Sequence, residues 1–171
     1  MTVREAEALQ YICTDLPENP VIIQIGAERG ASTLAMLDES PDAFIFSVDI
    51  GERPEERENL IRAGQEWHRV VRGLGRSQII GEYWPKEWKA DLVLIDGDHR
   101  RPGIDEDLLV WPPVVRDGGY LALHDYIHPD QRGPQIQGRV WEAVEEWRSL
   151  CPEFEEVLCQ DRLLVFQRNC P

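Results

Sequence analysis

The sequence has no CxxC pair, no long apolar run and few basic residues, and each absence narrows what the chain can be. Its four cysteines, Cys13, Cys151, Cys159 and Cys170, show no metal-ligand spacing. With an N-terminus that lacks the basic and apolar regions of a signal peptide, they are expected as reduced thiols in a cytoplasm. No apolar run approaches the roughly 20 residues needed to span a bilayer, so a soluble protein is expected. Lys and Arg number 18 against 32 Asp and Glu, a formal charge of −14. Such a field repels phosphate backbones and anionic membrane surfaces within a Debye length, and neither nucleic acid nor membrane is an expected partner. The acidic residues are spread along the chain, the pattern of a solvated surface. Internal repeats, low-complexity segments and dividing linkers are absent too, and 171 residues with 42% hydrophobic content suit one domain around one core.

What is present is an alternation of strands and helices. Val3, Ala6, Leu9, Ile12 and Cys13 recur at helical spacing, and the helix should stop before Pro17. Strands are expected at 21–25, 44–50, 69–71, 91–95 and 120–123, the last following a turn at Asp117-Gly118-Gly119. Between them, helices are expected at 31–37, 54–67 and within 104–115, with a short helix or turn at 77–84. This order predicts a parallel sheet with right-handed crossovers and helices on both faces. Past it, 131–138 reads as a loop, 139–150 as an amphipathic helix, and 154–159 with 163–167 as an antiparallel hairpin. The division is thus a helix in 1–17, a ligand-binding half in 21–126, and a lid loop, helix and hairpin in 131–168.

Open parallel sheets bind ligands beyond the carboxyl ends of their strands. Gly26-Ala27-Glu28-Arg29-Gly30 occupies that place after the first strand, and its spacing is not that of a dinucleotide GxGxxG loop. Asp49 closes the second strand, from which a carboxylate can accept hydrogen bonds from both ribose hydroxyls. Glu28 in the loop favours the cationic donor S-adenosylmethionine over a pyrophosphate, which like charge would repel.

Asp96 and Asp125 end two successive strands, and in adjacent strands their backbones would lie about 4.8 Å apart. Two carboxylates that close raise one pKa unless a cation lies between them, and oxygen ligands suit Mg²⁺, Mn²⁺ or Ca²⁺. Asp98, His99 and His124 crowd the same rim.

The run from Asp91 through Ile95-Asp96-Gly97-Asp98-His99, then Gly103 and Asp107, then Gly118 through Leu123-His124-Asp125, resembles a family of class I S-adenosylmethionine-dependent methyltransferases. This group includes the macrocin-type sugar O-methyltransferases and proteins named after cephalosporin hydroxylase. The resemblance extends over about 21–147. It implies a Rossmann-like, seven-stranded, mostly parallel sheet ending in an antiparallel hairpin, with S-adenosylmethionine bound at Gly26, Gly30 and Asp49. In several members it also implies a divalent metal, Mg²⁺ or another, at positions matching Asp96, His124 and Asp125.

Two departures stand out. Such enzymes commonly carry an acidic residue on the first strand where this chain has Gln24, which removes an ionic attraction to the donor's ammonium group, and Glu28 is the candidate to compensate. His124 stands where a carboxylate is common, which favours a softer metal or none. Methyl transfer to a hydroxyl needs a base, for which His99 is the first candidate and Asp98 the reserve, with His124 serving if no metal binds. Arg100, Arg101 and Arg132 read as solvated, His128 as a loop residue, and Trp84, Trp88 and Trp111 as packing groups. The expected activity is O-methylation of a small-molecule acceptor, with 131–138 or a second subunit of a homo-oligomer closing the pocket. The alternatives are a catalytically inactive S-adenosylmethionine or S-adenosylhomocysteine binder and, less favoured, a nicotinamide oxidoreductase.

Overall fold

Strands that are apolar at consecutive positions need cover on both faces. The computed structural model describes residues 1–65, 67–127 and 139–169. Its strands are β1 (Val21–Ile25), β2 (Phe44–Asp49), β3 (Val70–Leu74), β4 (Ala90–Ile95), β5 (Val115–Leu123), β6 (Phe154–Gln160) and β7 (Leu163–Arg168). The helices are α1 (Val3–Cys13), α2 (Ala31–Glu39), α3 (Pro54–Arg62), α4 (Ser77–Glu82), α5 (Gly103–Val110) and α6 (Val140–Arg148). All seven strands form one sheet in the order β3-β2-β1-β4-β5-β7-β6. The first five are mutually parallel, and β7 runs antiparallel to both β5 and β6. This is the Rossmann-like α/β architecture expected above.

Alternate residues of the central strands feed two cores. Ile23, Ile25, Val93, Ile95, Leu121 and Leu123 face α5 and α6, meeting Ile104, Leu108, Val140 and Val144. Ile22, Leu92, Leu94 and Ala122 point the other way, toward Leu9 and Ile12 of α1, Met36 of α2 and Leu60 of α3. Every residue of β4 is buried.

The expected strands and helices are all present, with shifted bounds where a glycine decides. The helix expected over 54–67 ends at Arg62, because Gly64 takes a φ of 78° and Gln65 N–H closes back on Leu60 O. A single 3₁₀ turn follows at Trp67–Arg69. The expected turn at Asp117-Gly118-Gly119 is instead part of β5, which begins five residues early. There the β4–β5 register shifts between Ala90 and Leu92, and a Cβ on Gly119 would lie 2.9 Å from Asp91 O. The glycines thus accommodate a bulge rather than a reversal. The expected lid at 131–138, with Arg132 and His128, lies outside the described residues, as does Cys170. Among the described residues no helix is long and apolar enough to cross a membrane.

β1 sits between β2 and β4, so the chain order reverses at the β1–β4 pair. Ile25 pairs with both Val48 and Ile95, and Ile95 pairs with Leu123, so four carboxyl ends finish level. A ligand site is favoured at that crevice.

Trp111, fully buried after α5, packs against Trp84 at 5.9 Å between ring centroids. Neither lines the crevice, in keeping with a packing role. Trp111→Ala is therefore expected to lower the unfolding free energy by about 3–5 kcal/mol, read from urea denaturation, without altering the affinity of any crevice ligand.

Candidate active site

The level strand ends open into a cavity of about 710 Å³, within the usual range for small-molecule sites. The expected residues Gly26, Glu28, Asp49, Asp96, Asp98, His99, His124 and Asp125 all line it, and Gln24 and Gly30 do not. Gly26 is needed where β1 turns out of the sheet: its φ is 82°, and a Cβ would fall 2.0 Å from Asp96 O.

Gln24 was expected to face a ligand's ammonium group, and its placement corrects that expectation. Fully buried, its amide donates to Ser32 Oγ at 3.0 Å and Gly26 O at 3.3 Å, and its carbonyl accepts from Thr33 Oγ1 at 3.0 Å. These bonds brace the β1–α2 turn from below. Gly30 is a close-packing position, since a Cβ there would meet Glu56 Cγ at 2.7 Å.

At the end of β2 the Asp49 carboxylate accepts from Ala27 N–H at 3.2 Å, Gly51 N–H at 3.3 Å and Arg53 Nε at 3.0 Å. Burial opposes its ionisation, but Arg53 and the two amides outweigh it and hold its pKa below the usual carboxylate value. It is an ionised acceptor facing the cavity.

Asp96 follows β4, and His124 and Asp125 follow β5; each offers one ligand atom, all within 4.8 Å of one another. His124 Nδ1 lies 3.2 Å from Asp96 Oδ1 and 3.6 Å from Asp125 Oδ2. His99 Nε2 lies 3.4 Å and 3.1 Å from the same two carboxylates. Neither nitrogen is reached by solvent, and among the described residues neither has a hydrogen bond of acceptable geometry. Two imidazole nitrogens and two carboxylates thus converge at ion-pair distance, a set of donors that suits a divalent cation of intermediate softness.

Burial opposes a charged His124, but Asp125, Asp96 and Glu5 push its pKa up to about 10. The Asp96 contact, working against burial, raises His99 as well. Burial alone would raise both carboxylates; the imidazoles reverse this, lowering Asp96 and bringing Asp125 to about 2 with help from Arg162. Asp98 sits apart from this cluster. Its carboxylate accepts from Arg100 N–H, Nε and Nη2 at 3.0, 2.9 and 3.1 Å, and chiefly Arg100 lowers its pKa.

Two residues not singled out from the sequence complete the site. Glu5 of α1, fully buried, meets His124 Nε2 at 3.1 Å, and Arg162 of the β6–β7 turn donates to Asp125 Oδ1 at 2.7 Å. Thr2-Val3-Arg4-Glu5 is a legible capping box, and both its hydrogen bonds form. That pattern marks Glu5 as a helix cap and says nothing of His124.

A family model described as a methyltransferase domain matches residues 23–126. The chain belongs to that family. It is an S-adenosylmethionine-dependent methyltransferase of class I. No curated protein matches the sequence of this methyltransferase. Among solved structures it is similar to an O-methyltransferase from Bacillus cereus in complex with S-adenosylhomocysteine, at 16% identity and a TM-score of 0.75, covering 99% of this chain and 82% of that one. The O-methyltransferase TomG from Streptomyces achromogenes, involved in tomaymycin synthesis and bound to S-adenosylmethionine, shares 16% identity with a TM-score of 0.76, covering 100% and 82%. An O-methyltransferase family 2 protein from Planctomyces limnophilus in complex with apigenin shares 18% identity with a TM-score of 0.65, covering 95% and 61%.

The raised His124 pKa has a stability consequence. A folded-state value of about 10 lies above the unfolded one, so the contribution is fully present below about pH 6.5 and lost as pH rises through the folded value. In chelator-treated protein, unfolding free energy should fall between pH 6.5 and 10 by a few kcal/mol more for the wild type than for His124→Gln. Parallel curves for the two would contradict the charge pairing.

Proposed function

We propose that this methyltransferase transfers the methyl group of S-adenosylmethionine to a hydroxyl of a small acceptor, with Mg²⁺ or another divalent cation held by Asp96, His124 and Asp125. The observation that carries this reading is the convergence of two buried imidazole nitrogens on the Asp96 and Asp125 carboxylates, in the same cavity as Gly26 and Asp49. When bound, such a cation supplies Lewis-acid polarisation of the acceptor hydroxyl.

The chain's own groups divide the remaining work. Gly26 lets the donor approach the backbone, and Asp49 accepts its ribose hydroxyls in exchange for bonds now made by Arg53. Glu28, at the cavity wall, complements the donor's positive charge. His99, with 41% of its side chain exposed, is the base that takes the acceptor proton. Asp98 is the weaker candidate, because its carboxylate is held by Arg100. Apigenin in the Planctomyces limnophilus protein makes polyphenols the first acceptors to try. A cytoplasmic setting accords with Cys13, Cys151 and Cys159, which are free. The reading as an inactive binder drew on Gln24 and on the short chain, and Gln24, which does not line the cavity, lends it no support.

Calorimetric titration with S-adenosylhomocysteine tests the donor half: the wild type should bind, and Asp49→Ala should bind at least about tenfold more weakly, the loss of one charged hydrogen-bonding group. Absence of binding to the wild type would sink the proposal. For the acceptor half, release of S-adenosylhomocysteine should depend on a polyphenol or sugar hydroxyl, stop with chelator and return with Mg²⁺ or Mn²⁺. Turnover indifferent to chelator would remove the cation from the reading.

A further inference from the structure

We infer that Glu5 is a positioning residue for the cation site: its carboxylate holds the Nε2 proton of His124, so Nδ1 is the nitrogen presented to the cation. The inference rests on the cation reading proposed above and adds to it a residue from a helix that supplies no ligand.

Glu5 stands 119 positions before His124 in the chain and meets it at 3.1 Å through Oε2. The same oxygen accepts from Thr2 N–H at 2.6 Å, while Oε1 accepts from Arg162 N–H at 3.1 Å with Arg162 Nε at 3.5 Å. Every polar partner of this carboxylate among the described residues is therefore a donor. With none of its side chain exposed, Glu5 has no solvent to turn toward. Among the described residues the imidazole has no other acceptor at Nε2, so that nitrogen carries a proton and Nδ1 is left to face Asp96 and Asp125.

His124 is itself only 4% exposed, and its Nδ1 is a buried polar atom with no hydrogen bond of acceptable geometry among the described residues. A buried nitrogen aimed between two carboxylates, with the opposite nitrogen fixed by a third, is the arrangement by which carboxylates orient histidine ligands of metals. Glu5 also reaches the second ligand. Arg162, anchored on Glu5 Oε1 through its backbone N–H, donates Nη1–H to Asp125 Oδ1 at 2.7 Å. One carboxylate on α1 thereby sets the orientation of two of the three ligands.

Glu5→Gln separates this role from simple anchoring of α1. The amide keeps the shape but must turn an NH₂ toward existing donors, either His124 and Thr2 or Arg162. Thr2→Ala removes the Oγ1 partner of Glu5 N–H and leaves the carboxylate in place. Calorimetric titration of Mn²⁺ alone into chelator-treated protein should show Glu5→Gln weakened about 10–100-fold, the usual effect of losing such a partner. Thr2→Ala should lose stability yet bind Mn²⁺ close to wild type. In Zn²⁺-loaded wild type with ¹⁵N-labelled histidine, NMR should place the His124 proton on Nε2 and the metal on Nδ1. Near-UV circular dichroism establishes whether Glu5→Gln is folded, and the NMR result on the wild type decides the matter if it is not. A folded Glu5→Gln that binds Mn²⁺ as the wild type does, or a metal found on Nε2, overturns the inference while the cation reading stands. A wild type that binds neither Mn²⁺ nor Zn²⁺ overturns both.

Discussion

Three backbone hydrogen bonds beyond the strand ends hold the site in register: Gly26 N–H to Val48 O, Asp96 N–H to Ile25 O, and His124 N–H to Ile95 O. Each continues the parallel ladder by one residue, so the first residue after β1, β4 and β5 is placed by the neighbouring strand rather than by its own loop. Loop residues otherwise carry most of the positional freedom in an α/β fold, and sites built on the sheet are held more closely. The same ladder explains why Gly26 carries no side chain, since Asp96 O occupies the space a Cβ would need. It also sets the cavity at the crevice where strand order reverses, the place where such sheets favour a ligand.

Around this frame the charges are matched locally, although the chain as a whole is strongly acidic. Glu5, Asp96 and Asp125 are interleaved with His99, His124 and Arg162, and no member lacks an opposite charge within 3.6 Å. Burying any one of them alone would cost far more than the set does together. Asp49 and Arg53 form a second such pair where β2 meets the cavity. A ligand entering there exchanges one set of partners for another rather than meeting an uncompensated charge.

Much of this was readable in the sequence because the strands are short and their apolar runs unmistakable. β1 and β4 were legible from consecutive buried residues, and the convergence of Asp96 with Asp125 followed once their strands were taken as neighbours. What periodicity does not carry is contact between distant segments. The family resemblance marks Gln24 as a ligand-facing residue, yet Ser32 and Thr33 of the next helix claim its amide. Glu5 reads as a helix cap, and its link to His124 arises only when α1 packs across the sheet. Gly118 and Gly119 read as a turn because bulges and turns call for the same residue, and only the pairing of β4 with β5 tells them apart.

The central claim is that donor and cation share one crevice at the ends of β1, β2, β4 and β5. Paramagnetic broadening of the ¹H–¹⁵N NMR spectrum by Mn²⁺, recorded with S-adenosylhomocysteine present, tests it most directly. Broadening centred on Asp96, Gly97, His124 and Asp125, together with S-adenosylhomocysteine shifts at Gly26, Ala27 and Asp49, is the predicted result. Broadening scattered over the exposed acidic surface, with the strand ends untouched, would contradict it.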